Sequence, residues 1–564
     1  FHDVFNATVR LGGNADKNNL ADIFFNQNRG GLILAGFIPY WGVMGYTAYA
    51  LCQIPKIPYP VAFDNLWLQY GANFVVFVLA VILFYWLRYG GTLDHRKKPE
   101  WDEVPAYVKQ DEFLGKMTLD ALVAFELAWK HKISDSLQHT DEEAKTIMGK
   151  VFPENVDWQR PWESFKRTAK GAKISRPRKI FLLFGESHGQ APFDSLYAKL
   201  NLMEGSQRFR QDPHTLTIDN FLPGGMISAP SLASILSGVY DTDLELNENV
   251  NFWRGATPLS MASQLHELGY HTGFWYGGAL NWGSLEHFVP TTGFDEYHGG
   301  PDICAKDAPR TWLGVYDHLF LNAAAERLEQ SPAERYEFHF LYTTSNHGPY
   351  KMPYDEYGAD LDRIMPDAPA ELKADKRIRR KMQGIWYADQ ALCTFIDRMR
   401  KKYPDALFIV TGDHTTGLIP FEYHVTGRDE PALREQVLTS FAMYHRELSP
   451  EMLAGNTIGG HLQILPTLME LLAPAGHEYY SLFSSLTEPI DHVVTPYCWL
   501  TKDTVGDYRS KVRQSLQVSE KKLPIEHEIS FAEEQAAWSE FSGYLVKHPE
   551  LLIPRQEINP ALAN

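Results

Sequence analysis

The sequence predicts an α/β fold: a mainly parallel sheet flanked by helices, preceded by transmembrane helices. Three observations carry this reading. From Lys179 to about Leu472, short apolar runs alternate with helical stretches, the pattern of a parallel sheet with crossover helices. Two long uncharged segments stand near the start of the chain. Polar residues able to bind a metal come directly after three of the apolar runs.

The first uncharged segment, Leu32 to Leu51, has 20 residues, about the number needed to cross hydrocarbon. The second, read as 71–87, is shorter and more apolar, with Trp67, Tyr85 and Trp86 suited to an interface. Buried core helices would share these features. No basic leader or small-residue cleavage site marks a signal peptide. The chain begins with Phe1, as expected of a processed or truncated protein. Residues 1–94 are therefore read as a membrane region. Residues 95–175 form a helical linker region in which "LGKMTLDALVAFELAWKHK" is amphipathic. An α/β domain comes next over 176–475, then a polar, partly helical extension over 476–564.

Within the domain, "KIFLLF", "HTGFWYG", "FHFLYTT", "DALFIVTG" and "TSFAMYH" read as strands. "PSLASILSG", "PLSMASQLHELGY", "RKMQGIWYADQALCTFIDRMRK" and "HLQILPTLMELLA" read as helices. The formal net charge of −17 argues against a nucleic-acid partner, which would need a basic surface. The four cysteines form no C-x-x-C pair, so neither a zinc ribbon nor a disulfide framework is indicated.

Ligands of open α/β sheets bind beyond the carboxyl ends of the strands. Glu186 comes after the first strand, Asn346 and His347 after the third, and Asp413 and His414 after the fourth. Singly, these are ordinary caps and turns. Together they make an oxygen and nitrogen donor set for one divalent cation (Zn, Mn or Mg), with a second ion an open alternative. The segment "PGGMISAPSLASILSG" brings Ser228 to a helix start, where free N–H groups favour an anion. Ser228 is either a metal-activated nucleophile or a simple N-cap, and Ser231 competes with it.

These segments resemble the alkaline phosphatase/sulfatase superfamily over roughly Lys179 to Leu472. The resemblance is closest to the membrane-anchored branch of lipoteichoic acid synthases, phosphoglycerol transferases and lipid A phosphoethanolamine transferases. It implies Glu186, Ser228, Asp413 and His414 as metal ligands, with Ser228 also the nucleophile. It implies His347 and His424, the latter in "EYHVTGRDEPALREQV", as catalytic and substrate-binding residues, and Trp282 as a substrate-binding residue. The implied reaction moves a phosphoglycerol or phosphoethanolamine group from a phospholipid to a glycan or lipid acceptor of the cell envelope. The runner-up is a sulfatase or phosphodiesterase, and a third reading is a non-catalytic scaffold that keeps the fold.

There are departures. Serine replaces the transferases' threonine. "SAPSL" is similar to the sulfatase signature C/S-x-P-S-R, but Leu232 replaces its arginine. Where lipoteichoic acid synthases hold glycerol phosphate with His, Trp and Arg, this chain offers Tyr276, Trp282 and Ser284. The resemblance implies a bacterial cytoplasmic (inner) membrane location with the domain facing the periplasm or exterior. The basic cluster Arg88, Arg96, Lys97 and Lys98 predicts the opposite orientation.

Overall fold

The computed structural model describes residues 30–53, 63–88, 93, 134–415, 431–516, 523–525 and 531–554. The amphipathic stretch at 114–132 and His424 lie outside the described residues. The chain divides into two compact units, 1–132 and 133–564.

In the first unit, helix α1 (Gly30–Gln53) covers the first expected span and α2 (Leu66–Arg88) the second. Glycines, tyrosines and Pro39 dilute the apolar character of α1. Among the described residues one helix is long and apolar enough to cross a membrane: Leu66–Leu87, 22 residues with mean hydropathy 2.1.

The second unit is built on a seven-stranded sheet. Its strands are β1 (Lys179–Gly185), β2 (Thr215–Thr217), β3 (His271–Tyr276), β4 (Glu296–Gly299), β5 (Glu337–Tyr342), β6 (Leu407–Gly412) and β7 (Phe441–Tyr444). They lie in the order β2-β7-β6-β1-β5-β3-β4. β1 pairs in parallel with β5 and β6, and β3 with β4 and β5, while β7 runs antiparallel to β2 and β6. The sheet is mainly parallel, as the alternation predicts. The short strands β2 and β4 were not legible.

All seven residues of β1 are buried because helices cover both faces. Ile180, Leu182 and Phe184 pack into one core with α4 (Ser228–Ser237), α5 (Met261–Glu267) and α8 (Ile464–Leu472). Phe181 and Leu183 pack into the other with α6 (Asp317–Leu328) and α7 (Lys376–Lys402). Each such side chain contributes about 1.5–3 kcal/mol by burial. Lys179 opens β1 with only 1% exposure and bonds Glu337 at 2.6 Å, Ser331 Oγ at 3.1 Å and two carbonyls. A buried ammonium persists only with such partners.

The last part of the chain adds an antiparallel sheet of β8 (His492–Val494), β9 (Cys498–Thr501), β10 (Thr504–Asp507), β11 (Val512–Ser515) and β12 (Leu523–Pro524), then helix α9 (Ala532–Lys547). Trp538 and Phe541 of α9 share the first core with Phe152 and the sheet. Residues 134–175 and 476–554 thus belong to the same compact unit as the sheet.

Candidate metal centre and nucleophile

β1 and β6 end side by side, with Gly185 opposite Gly412. Each delivers its next residue to the same edge. Glu186 and Asp413 are 1% and 0% exposed, and His414 is buried with them. A Cβ on Gly412 would lie 2.3 Å from the His188 carbonyl, so glycine permits this close approach. One donor atom from each of Glu186, Asp413 and His414 lies within 4.8 Å of the others. His414 Nε2 is 3.8 Å from Glu186 Oε1 and 3.5 Å from Asp413 Oδ2.

The two carboxylates are held by different partners. Asp413 Oδ1 accepts the N–H groups of Ser187 and His414, both at 2.7 Å. That leaves Oδ2 turned toward the other donors. Glu186 Oε1 accepts the Ser187 hydroxyl at 2.8 Å, and the Glu186 N–H donates to Thr343 Oγ1 at 3.1 Å. Tyr342, the last residue of β5, places its hydroxyl 2.8 Å from Asp413 Oδ2 and 3.3 Å from Glu186 Oε2. Burial and the neighbouring Asp413 carboxylate push the Glu186 carboxyl well above its ordinary range.

Ser228 is the first residue of α4; the N-cap is Ile227, which makes no side-chain cap. The bland N-cap reading of Ser228 therefore does not describe its side chain. Its hydroxyl lies 3.2 Å from His414 Nε2 and 3.4 Å from Glu186 Oε2. The Ser228 and Ala229 N–H groups lie in a first turn, where an α-helix offers no acceptor. Gly225 lets the preceding loop fold back, since a Cβ there would meet the Ser231 nitrogen at 2.5 Å. Ser231, the competing serine, is fully buried and donates to the Asp413 carbonyl at 2.5 Å. It braces the site and does not face the donor set.

His461, at the start of the segment leading into α8, ties these pieces together. Its Nδ1 accepts from the Gly224 N–H at 3.0 Å, so its Nε2 carries the proton and donates to the Gly412 carbonyl at 3.1 Å. Burial lowers its pKa to about 3, which keeps the ring neutral. Asn346 donates to the Glu186 and Ser187 carbonyls at 3.1 and 3.3 Å.

Among the described residues, no hydrogen bond or ion pair joins the His347 ring to Glu186, Ser228, Asp413 or His414. Its Nδ1–H donates to the Gly348 carbonyl at 2.7 Å, and its ring meets Trp312 edge-on at 4.9 Å. Trp282 lies against Tyr276, with ring centroids 5.4 Å apart, and 6.5 Å from the Tyr342 ring. His188, although adjacent in sequence, turns away to Ser440 Oγ at 2.5 Å. Cys304, Cys393 and Cys498 are free thiols.

Two buried carboxylates, an imidazole and a hydroxyl converging on one point fit a divalent cation: hard oxygen donors with one borderline nitrogen. Residues 171–474, more than half of the chain, match the sulfatase family. The chain belongs to the sulfatase family of enzymes. The fold agrees. The crystal structure of the lipoteichoic acid synthase LtaP from Listeria monocytogenes is similar at a TM-score of 0.53 and 16% identity, covering 74% of this chain and 100% of that one. An alkaline phosphatase superfamily protein from Vibrio parahaemolyticus is similar at 0.51 and 19%, covering 74% and 97%. Both likenesses concern the alkaline phosphatase-like α/β fold.

Proposed function

We propose that this enzyme is a membrane-anchored, metal-dependent phosphotransferase that moves a phosphoglycerol or phosphoethanolamine group from a phospholipid to an envelope glycan or lipid. The observation that carries the reading is the hydroxyl of Ser228, set at a helix start within 3.4 Å of two members of a buried metal-ligand set. Glu186, Asp413 and His414 would hold one divalent cation, with Ser228 as the fourth donor; zinc, manganese and magnesium all suit the set. Such a cation lowers the pKa of a coordinated hydroxyl and neutralises phosphoryl charge.

Ser228 Oγ then bonds to phosphorus, and the P–O bond to the lipid alcohol breaks. An acceptor hydroxyl reverses the step and frees the serine. The Ser228 and Ala229 N–H groups face the anion as it forms. His347, with its Nδ1–H held by Gly348, has the Nε2 lone pair left to take up, through solvent, the proton that Ser228 releases and to hand it to the leaving alkoxide. His424 is assigned to phosphate binding and Trp282 to the alcohol. The apolar helix Leu66–Leu87 would keep the enzyme beside a lipid donor. The domain is placed outside the inner membrane; reporter fusions after residue 88 that are active only in the cytoplasm would reject this orientation.

Leu232 favours transfer over formylglycine sulfatase chemistry. It takes the place of the signature arginine and is 1% exposed in the core, where it cannot assist the site. Ser228→Ala should abolish lipid-dependent transfer and leave metal binding within a few-fold. Near-normal turnover would move the nucleophile elsewhere.

A further inference from the structure

Tyr342 has no place in the expected ligand set, yet its hydroxyl reaches a carboxylate oxygen of both Asp413 and Glu186. Its hydroxyl is 2.8 Å from Asp413 Oδ2 and 3.3 Å from Glu186 Oε2. These are the two carboxylate oxygens not fully engaged elsewhere: the Asp413 partner oxygen is held by two backbone N–H groups, and the Glu186 partner by Ser187. The Ser228 hydroxyl approaches the same Glu186 Oε2. The phenol thus lies at the spacing that separates neighbouring donors of the set itself.

The ring cannot move far. Tyr342 is 1% exposed, stacked on Tyr276 with centroids 5.2 Å apart at 29°, and edge-on to Phe184 at 5.2 Å. β5 is hydrogen-bonded on both sides, to β1 and β3. Its last residue is therefore delivered to the site by the centre of the sheet and not by a loop.

Resting on the metal-site reading above, we infer that Tyr342 is a positioning residue of the metal centre: its O–H holds Asp413 and Glu186 at ligand spacing and orients Asp413 Oδ2. A phenol donates one proton, so it bonds one carboxylate at a time and braces the other by contact. Hydrogen-bonding partners of metal ligands of this kind are worth 10–100-fold in metal affinity or activity.

The test uses the full chain in detergent, stripped with chelator and titrated with zinc and with manganese against a competing chelator. Tyr342→Phe keeps the ring and its stack and removes the hydroxyl. The expected result is a roughly 10–100-fold weaker Kd with a metal-free melting temperature close to wild type. Tyr276→Phe is the control: it removes a hydroxyl from the same stack that is buried and has no hydrogen-bond partner, and should shift the Kd less than about 3-fold. A second readout is the ultraviolet tyrosine difference spectrum on metal titration, expected in wild type and Tyr276→Phe and lost in Tyr342→Phe; it also decides the matter in wild type should Tyr342→Phe not fold. An unchanged Kd in Tyr342→Phe, equal losses in both variants, or no tyrosine signal in wild type overturns the inference. If wild type binds neither metal, the metal-site reading itself has failed, a result distinct from all of these.

Discussion

Glu186→Gln should make the metal-free protein more stable while removing its response to metal. The reason lies in the packing of two carboxylates. Donor atoms of Glu186 and Asp413 lie within 4.8 Å of each other, and both residues are almost wholly buried. Two unit charges at that spacing repel by about 3.5 kcal/mol at an effective dielectric constant near 20. Protonating Glu186 instead, at about pH 7.5, costs a comparable ~4 kcal/mol relative to its ordinary value of 4.5. The glutamine avoids either cost. Its amide nitrogen must face one of the hydroxyls of Ser187 and Tyr342, a mismatch of about 1 kcal/mol. The net expectation is a gain of roughly 2 kcal/mol, read as a melting temperature a few degrees higher after chelation. Wild type should gain about 2.7 kcal/mol when metal is added at 100 times its Kd, and the variant far less. The pH dependence has a definite sign. Because burial and Asp413 raise the folded-state pKa of Glu186, its contribution is fully favourable below about 4.5 and is lost as pH rises through the folded value. Metal-free wild type should therefore lose stability across that rise, and the glutamine variant should lose less. The assay is thermal unfolding of the full chain in detergent, with chelator and with added zinc or manganese. A chelated variant that melts below wild type, or one that keeps the full metal shift, refutes the argument.

Two other expectations rest on packing, one at the opposite edge of the sheet and one beside the site. Glu337→Gln leaves the Lys179 ammonium buried without its 2.6 Å carboxylate partner and should destabilise by about 3–5 kcal/mol, measured by denaturant unfolding. Burial works against ionisation of Glu337, but hydrogen bonds from His339, Lys179 and Ser331 outweigh it and hold its pKa at about 2, so this pair should weaken only as pH falls from about 4.5 toward 2. Gly225→Ala should impair turnover well beyond its effect on stability, because the new methyl group would press on the Ser231 nitrogen and displace the first turn of α4. Wild-type kcat in that variant would show that the loop before Ser228 tolerates the shift.

Much of the candidate site was legible because parallel strands announce their own ends. The apolar runs before Glu186 and Asp413 stop at glycine, and the next residue of each must stand at the carboxyl edge of the sheet. Ser228 was legible as a helix-start hydroxyl, and the structure separates it from Ser231, which the spacing alone did not. Tyr342 was hidden because it closes an aromatic run, "FHFLY", and reads as core; only its position as the last strand residue hinted otherwise. His461 was hidden at the mouth of an apolar helix. The strands of the late antiparallel sheet are two to four residues long, too short to show a period of two. Leu32 to Leu51 was read as a membrane span from its lack of charge, but its glycines, tyrosines and Pro39 leave it less apolar than Leu66–Leu87.

The most direct test of the account is the mass of the peptide that carries Ser228. The full chain, loaded with metal and incubated with a bacterial lipid extract, would be quenched in acid and digested. The account predicts a phosphoglycerol or phosphoethanolamine adduct on Ser228, absent after chelation. An adduct on another residue, formylglycine at position 228, or an unmodified serine during active transfer would contradict it.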